Sequence, residues 1–300
     1  MDVPAAPADQ DSATAVDDTP PLRVTRPITQ TAPVIFTSPH SGRHYSAGFI
    51  ASSRLDPLSL RRSEDSFVDE LFAAAPSHGA PLLAATFPRA FCDVNREPWE
   101  LDPGMFADPL PSWVNTTSSR VTAGLGTVAR IVASGEGIYR DKLSFAEAEQ
   151  RVADLWRPYH DMLGALIGGT LSLFGHCLLI DCHSMPSQGQ PARTGIRGAD
   201  FILGDAHGTA CTPRVTRFVE RTLSDLGYMV RRNDPYAGGY ITRHYGRPRT
   251  RVHALQIEVS RELYMDETRI ERLAHFGGVQ KDLTRLIEAL VRETPHLIGE

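Results

Sequence analysis

Five short runs along the chain are apolar on both faces: residues 33–37 (PVIFT), 81–86 (PLLAAT), 177–181 (CLLID), 201–204 (FILG) and 253–259 (HALQIEV). Runs of this length without polar alternation are expected of strands buried on both sides by helices. Between them the apolar period lengthens to that of a helix. Residues 63–75 (SEDSFVDELFAAA) place Phe67, Leu71 and Phe72 on one face behind Ser63 as N-cap. Residues 144–168, carrying Leu155, Trp156, Tyr159, Leu163 and Leu166, predict a long amphipathic helix, as do residues 212–226 and 267–292. Strands alternating with helices predict an α/β fold around a mostly parallel sheet. Residues 1–28 show no hydrophobic period and are rich in Ala, Pro, Asp and Thr, so they read as a flexible tail ahead of a single domain over 29–300. Residues 98–119 read as a long loop, a feature that often serves as a lid.

Composition narrows the function. The chain has 36 acidic and 31 basic residues, a formal net charge of −5. That leaves no basic surplus for nucleic acid. No apolar run approaches the ~20 residues that span a bilayer. The N-terminal stretch lacks the basic and apolar regions of a secretory signal, and Cys92, Cys177, Cys182 and Cys211 form no CxxC pair. Reduced thiols and a cytoplasmic protein acting on a small molecule are the expectation.

Three of the strand candidates end on chemistry. PVIFT leads to His40, CLLID to His183, and HALQI ends at Glu258. In open α/β sheets the ligand crevice lies beyond the carboxyl ends of the strands. Two histidines and a glutamate there suggest a metal with a neighbouring base. A catalytic zinc needs a third protein ligand, and the pair Glu64–Asp65 is the nearest source, although acids in a first helical turn also answer the helix dipole. Glu258 sits in an apolar strand, where burial raises a carboxylate towards the range of a general base. The alternative for Glu258 is a buried ion pair with an arginine such as Arg261.

Residues 87–97 (FPRAFCDVNRE) set Arg89, Asp93, Asn95 and Arg96 close together. The simpler reading pairs Asp93 with an arginine at the surface. The other has Asn95 and Arg96 grip a substrate carboxylate. Residues 124–127 lack the Lys-Ser/Thr continuation of a phosphate loop. The glycines at 238 and 239 read as a turn or as a close backbone approach to a ligand, and Gly204-Asp205 as structural or supporting. A serine hydrolase built on Ser38, Ser41 or Ser184 lacks the G-x-S-x-G elbow.

Taken in order, SPHSG, RRSEDSFVDEL, FPRAFCDVNRE, GLGTVAR, LLIDCHSM, the Gly-Asp after a strand, GGYITRHYG and LQIEVSREL resemble the N-formylglutamate amidohydrolase family from about residue 33 to 264. The resemblance implies a three-layer α/β/α sandwich like that of zinc carboxypeptidases and aspartoacylases, with a mixed, mostly parallel sheet. It implies zinc on His40, Asp65 and His183, with Glu64 the alternative acid, and Glu258 as general base. It also implies that Asn95 and Arg96 hold one substrate carboxylate, with Arg89, Arg130 and Thr242 towards a second. The implied reaction is hydrolysis of N-formyl-L-glutamate to formate and L-glutamate, a step of histidine degradation. The alternatives are a deacylase or carboxypeptidase-like hydrolase acting on another small N-acyl amino acid, or a metal- or ligand-binding protein without catalysis.

Overall fold

The computed structural model describes residues 19–187 and 198–299. Seven strands form the main sheet: β1 (Leu22–Thr25), β2 (Val34–Ser38), β3 (Leu82–Ala85), β4 (Cys177–Met185), β5 (Phe201–Gly204), β6 (Val230–Arg232) and β7 (Val252–Ser260). Their order is β1-β3-β2-β4-β7-β5-β6. The central strands β3, β2, β4 and β7 run parallel, β1 is antiparallel to β3, and β5 is antiparallel to β7 while pairing parallel with β6. The mixed, mostly parallel sheet is therefore as expected.

The helices in chain order are α1 (Ala47–Ser52), α2 (Pro57–Leu60), α3 (Val68–Leu71), α4 (Ser119–Thr122), α5 (Phe145–Arg151), α6 (Arg157–Phe174), α7 (Pro213–Asp225), α8 (Tyr240–Tyr245) and α9 (Phe276–Ile298). Successive strand residues point to opposite faces, and both faces are apolar. Leu178, Ile180, Leu255 and Ile257 pack with α7 and α9 through Val215, Val219, Leu283 and Leu286. Cys177, Leu179 and Ala254 pack on the other side with Tyr159, Leu163 and Leu166 of α6 and Ile241 of α8. These two cores make three layers. A separate apolar cluster, including Phe49, Leu101, Phe106, Val114 and Ile138, holds the long excursion between β3 and α5.

Several elements differ from the sequence reading. β1 lies inside the stretch read as tail: Leu22 and Val24 pack on the α6 side while Arg23 and Thr25 face outward. Residues 1–18 lie outside the described residues. The helix expected over 63–75 is broken. Glu64 is extended (φ −64°, ψ 145°), Phe67 has φ +67°, and only α3 is α-helical. Tertiary bonds override propensity here, because the Asp65 amide donates to the His40 carbonyl at 3.0 Å and Arg261 donates to the Glu64 carbonyl at 2.6 Å. The apolar face survives the break, with Leu71 and Phe72 fully buried. The last helix starts at Phe276, because Met265–Asp266 and Glu271–Arg272 pair as a small hairpin first.

Candidate active site

Strand parity decides where the chemistry sits. In β4, Cys177 and Leu179 face α6, so Asp181 and His183 face the same side. In β7, Gln256 and Glu258 share the side of Ala254, and the register pairs Asp181 with Gln256 and His183 with Glu258. Both strands outlast the α6 cover by two residue pairs. Residues from 87–133 and 235–239 close over these ends and leave a cavity of about 460 Å³. His40 arrives from the loop after β2, and Asp65 from the extended turn before α3. The loop expected over 98–119 does not border the cavity; Arg120, Leu125, Ala129, Ile131 and Ala133, just after it, do.

His40, Asp65 and His183 converge, with one possible ligand atom from each lying within 4.8 Å of the others. All three are 3 % exposed or less. Both imidazoles turn Nδ1 towards Asp65 Oδ2, at 3.4 Å from His40 and 2.9 Å from His183. Both have a carboxylate behind them: His40 Nε2 lies 2.7 Å from Asp93 Oδ1, and His183 Nε2 lies 3.1 Å from Asp181 Oδ2. A carboxylate behind a ligating histidine fixes its tautomer and raises its basicity. Asp65 Oδ1 takes Ser184 and Arg261, each at 3.2 Å. Glu64 is turned away, its carboxylate bound by Arg61 at 2.9 Å and Ser66 at 2.8 Å.

The charges follow from this packing. Burial alone pushes the Asp65 carboxyl up, but His183 and His40 together hold it well below the usual carboxylate range. Burial is likewise outweighed at Asp93, where Arg96, His40 and Arg89 hold the acid well below that range. At His183, burial disfavours the cation, yet Asp181, Asp65 and Glu258 raise it well above the ordinary histidine value. Glu258 goes the other way. Burial, opposed by His183, raises it to about 8. Its Oε1 accepts from Gln256 Nε2 at 2.7 Å, and Gln256 Oε1 in turn accepts the Gly239 amide at 2.9 Å. Arg261 binds Asp65 and Ser184 instead, and among the described residues no arginine forms an ion pair with Glu258.

The residues expected to grip substrate divide. Asn95 and Arg96 border the cavity, but their polar atoms are taken by protein. Asn95 Oδ1 accepts the Ile241 amide at 2.8 Å and its Nδ2 donates to Asp181 at 3.4 Å. Arg96 Nε donates to the Leu125 carbonyl, Nη1 to the Asn95 carbonyl, and Nη2 faces Asp93 at 3.7 Å. The pair is a strut, held by Trp156 Nε1, just ahead of α6, on the Arg96 carbonyl and by His160 Nε2 of α6 against the Val94 carbonyl. Arg89 borders the cavity and, among the described residues, binds Asp93 through one nitrogen. Arg130 donates to Asp102 instead and does not border the cavity. Thr242 is fully buried under Gly238. Asp93 is 3 % exposed and touches His40, so the surface ion pair expected for it is replaced by a buried one. Asp181 was read only as a strand end, and Asp205 closes its own turn with Gly208 and Thr216. The parity of Asp181 with His183 was the available signal for it.

A Cβ at Gly239 would lie 2.4 Å from Asn95 Nδ2, and Gly238 has φ +117°. The Gly-Gly pair thus allows the 235–239 backbone to press onto Asn95. A divalent cation fits the three-residue cluster, since His40 Nδ1 is buried without a hydrogen-bond partner and faces the shared acid.

Holding a small polar molecule and moving a proton on it are what this cleft is equipped for. That places the chain among α/β enzymes working at the carboxyl ends of a parallel sheet. Comparison with known proteins narrows the class. The profile of N-formylglutamate amidohydrolases matches residues 32–265, and the chain belongs to that family. It is 30% identical over 269 residues to an N-formylglutamate deformylase of Pseudomonas aeruginosa, covering 87% of this chain and 90% of that one. A Pseudomonas putida protein of the same name is 29% identical over 243 residues, covering 79% and 83%. The crystal structure of an N-formylglutamate amidohydrolase from Ralstonia eutropha JMP134 superposes with TM-score 0.87 at 37% identity, covering 93% of this chain and 99% of that one. An Agrobacterium tumefaciens gene product at 18% identity and TM-score 0.62 shares the fold, covering 94% and 97%.

Proposed function

We propose that the chain hydrolyses the amide of N-formyl-L-glutamate to formate and L-glutamate, with zinc held by His40, Asp65 and His183. The observation that carries this reading is a buried carboxylate outside the converging cluster, Glu258, in strand register with His183 and held by Gln256. Bound there, zinc supplies Lewis-acid polarisation of the formyl carbonyl and acidifies water. Glu258, raised to about 8, is matched to accept the proton of the attacking water and to return it to the departing amine. Gln256, anchored by the Gly239 amide, keeps that carboxylate aimed. Asp93 and Asp181 hold the two imidazoles with Nδ1 turned inward. The free edge of Arg89 faces the same cavity and suits the substrate α-carboxylate, fixing the amide for attack. The relatives' names and the family assignment support the substrate.

The test is formate release from a panel of N-formyl and N-acetyl amino acids, with metal analysis of the same sample. The reading predicts one tightly held divalent ion per chain and highest kcat/KM for N-formyl-L-glutamate. Full turnover after exhaustive chelation, or preference for an acetyl group, overturns it.

A further inference from the structure

The cavity is bordered by five arginines (Arg89, Arg96, Arg120, Arg243 and Arg261) and by three carboxylates (Asp65, Asp93 and Glu258). Arg96 and Arg261 have protein acceptors, and Arg89 is tied to Asp93. Arg120 and Arg243 are different. Among the described residues, their guanidinium groups meet no acceptor, and both side chains are exposed at the cavity rim. They come from separate elements, α4 and α8, yet both are fixed to one corner of the fold. Leu125, whose carbonyl takes Arg96 Nε, donates its amide to the Arg120 carbonyl at 2.8 Å. The amides of Tyr240 and Ile241, which begin the helix carrying Arg243, bond to Asn95. The Asn95–Arg96 strut thus positions two guanidinium groups it does not itself replace.

Depth orders these cations. The cluster of His40, Asp65 and His183 is buried, Arg89 has a side chain 22 % exposed, and Arg120 and Arg243 are at the surface. A substrate with its amide at the cluster places its α-carboxylate one carbon away and its side chain outward. We infer that Arg120 and Arg243 together bind the side-chain carboxylate and make the enzyme selective for an acidic N-formyl amino acid. This rests on the reaction proposed above. A guanidinium presents a planar fork that suits a carboxylate, and a substrate carboxylate would supply the acceptor that these two lack among the described residues.

The experiment compares N-formyl-L-glutamate with its neutral isostere N-formyl-L-glutamine on wild type, Arg120→Met, Arg243→Met and the double variant. Each single variant is expected to raise KM for the glutamate substrate about tenfold with kcat within about twofold, and to raise it clearly less for the glutamine substrate. Arg243→Lys is expected to restore part of the preference. An unchanged glutamate-to-glutamine ratio, or equal losses on both substrates, overturns the inference. If wild type releases formate from neither, the reaction is misassigned, and calorimetry with glutarate and butyrate judges the arginines alone. Tighter glutarate binding that the double variant abolishes supports their role; equal affinity for the two acids in wild type overturns it.

Discussion

Replacing Asp93 with asparagine strips the charge from the busiest carboxylate beside the cluster. Oδ1 accepts from His40 Nε2 at 2.7 Å and from the Asn95 amide at 2.8 Å, and Oδ2 accepts from Arg89 at 2.8 Å with Arg96 3.7 Å away. An asparagine that keeps its oxygen on His40 and Asn95 must present an amide NH₂ to Arg89. One charge-assisted bond of about 1.5–3 kcal/mol is lost. Arg96, itself buried, also loses its counter-charge, and breaking a buried pair costs roughly 3–5 kcal/mol. Because Arg89 is partly exposed and Arg96 stands 3.7 Å off without a hydrogen bond to Asp93, both costs are discounted and about 3 kcal/mol is the expected loss. With a urea m-value of about 3 kcal/mol/M, the unfolding midpoint falls by about 1 M. Without the Asp93 carboxylate to orient the His40 ring, zinc binding should also weaken by about 10–100-fold. Urea unfolding of the metal-free protein and a competitive zinc titration measure the two effects separately. A midpoint and an affinity both equal to wild type would refute the role given to Asp93.

Glu258→Gln should keep zinc affinity and lose about 10²–10⁴ in turnover, read from formate release beside metal content. In wild type, kcat/KM should climb with pH as Glu258 ionises, up to about pH 8, and that limb should vanish in Glu258→Gln. Stability of the metal-free protein should move the opposite way in the same window. The folded chain keeps a Glu258 proton between 4.5 and about 8 that the unfolded chain has released, so this contribution falls as pH rises. Asp65 and Asp93, held below 3.8, contribute stability that is present above that value and lost as pH falls through their folded pKa values; chemical unfolding across pH checks both signs. Zinc at 100 times its Kd should stabilise the chain by about 2.7 kcal/mol, seen as a rise in Tm of several degrees that a chelator reverses. Gly239→Ala should displace the 235–239 loop from Asn95 and lower turnover, with KM for N-formyl-L-glutamate as the sensitive parameter.

The doubly buried strands were legible because their sequences are apolar on both faces, as β2, β4, β5 and β7 are here. α7 was legible to the residue, its N-cap Thr212 and C-cap Leu226 bounding the expected span. β1 and β6 were not. As short edge strands with only one or two apolar positions each, they leave no pattern that a loop would not also show. The break at Glu64–Phe67 was hidden for a different reason. It is set by bonds from His40 and Arg261, distant in sequence, while the local residues suit a helix. His40, Asp65, His183 and Glu258 come together as the motif order implied. Less legible was the protein bonding of Asn95 and Arg96, since residue type shows that an amide and a guanidinium are present but not which acceptors the fold supplies.

The partners around Asp65 lie far away along the chain: His183 is separated from it by 118 positions and Arg261 by 196, while His40 and Asp93 are 53 apart. No local stretch of a growing or denatured polypeptide can therefore imitate the chelate. At the proposed metal site, ion capture would wait until β2 and β4 have docked with Asp65 drawn between them, so metal uptake would report formation of that long-range topology. Affinity for such an ion would then act on the folded protein and not on incomplete chains.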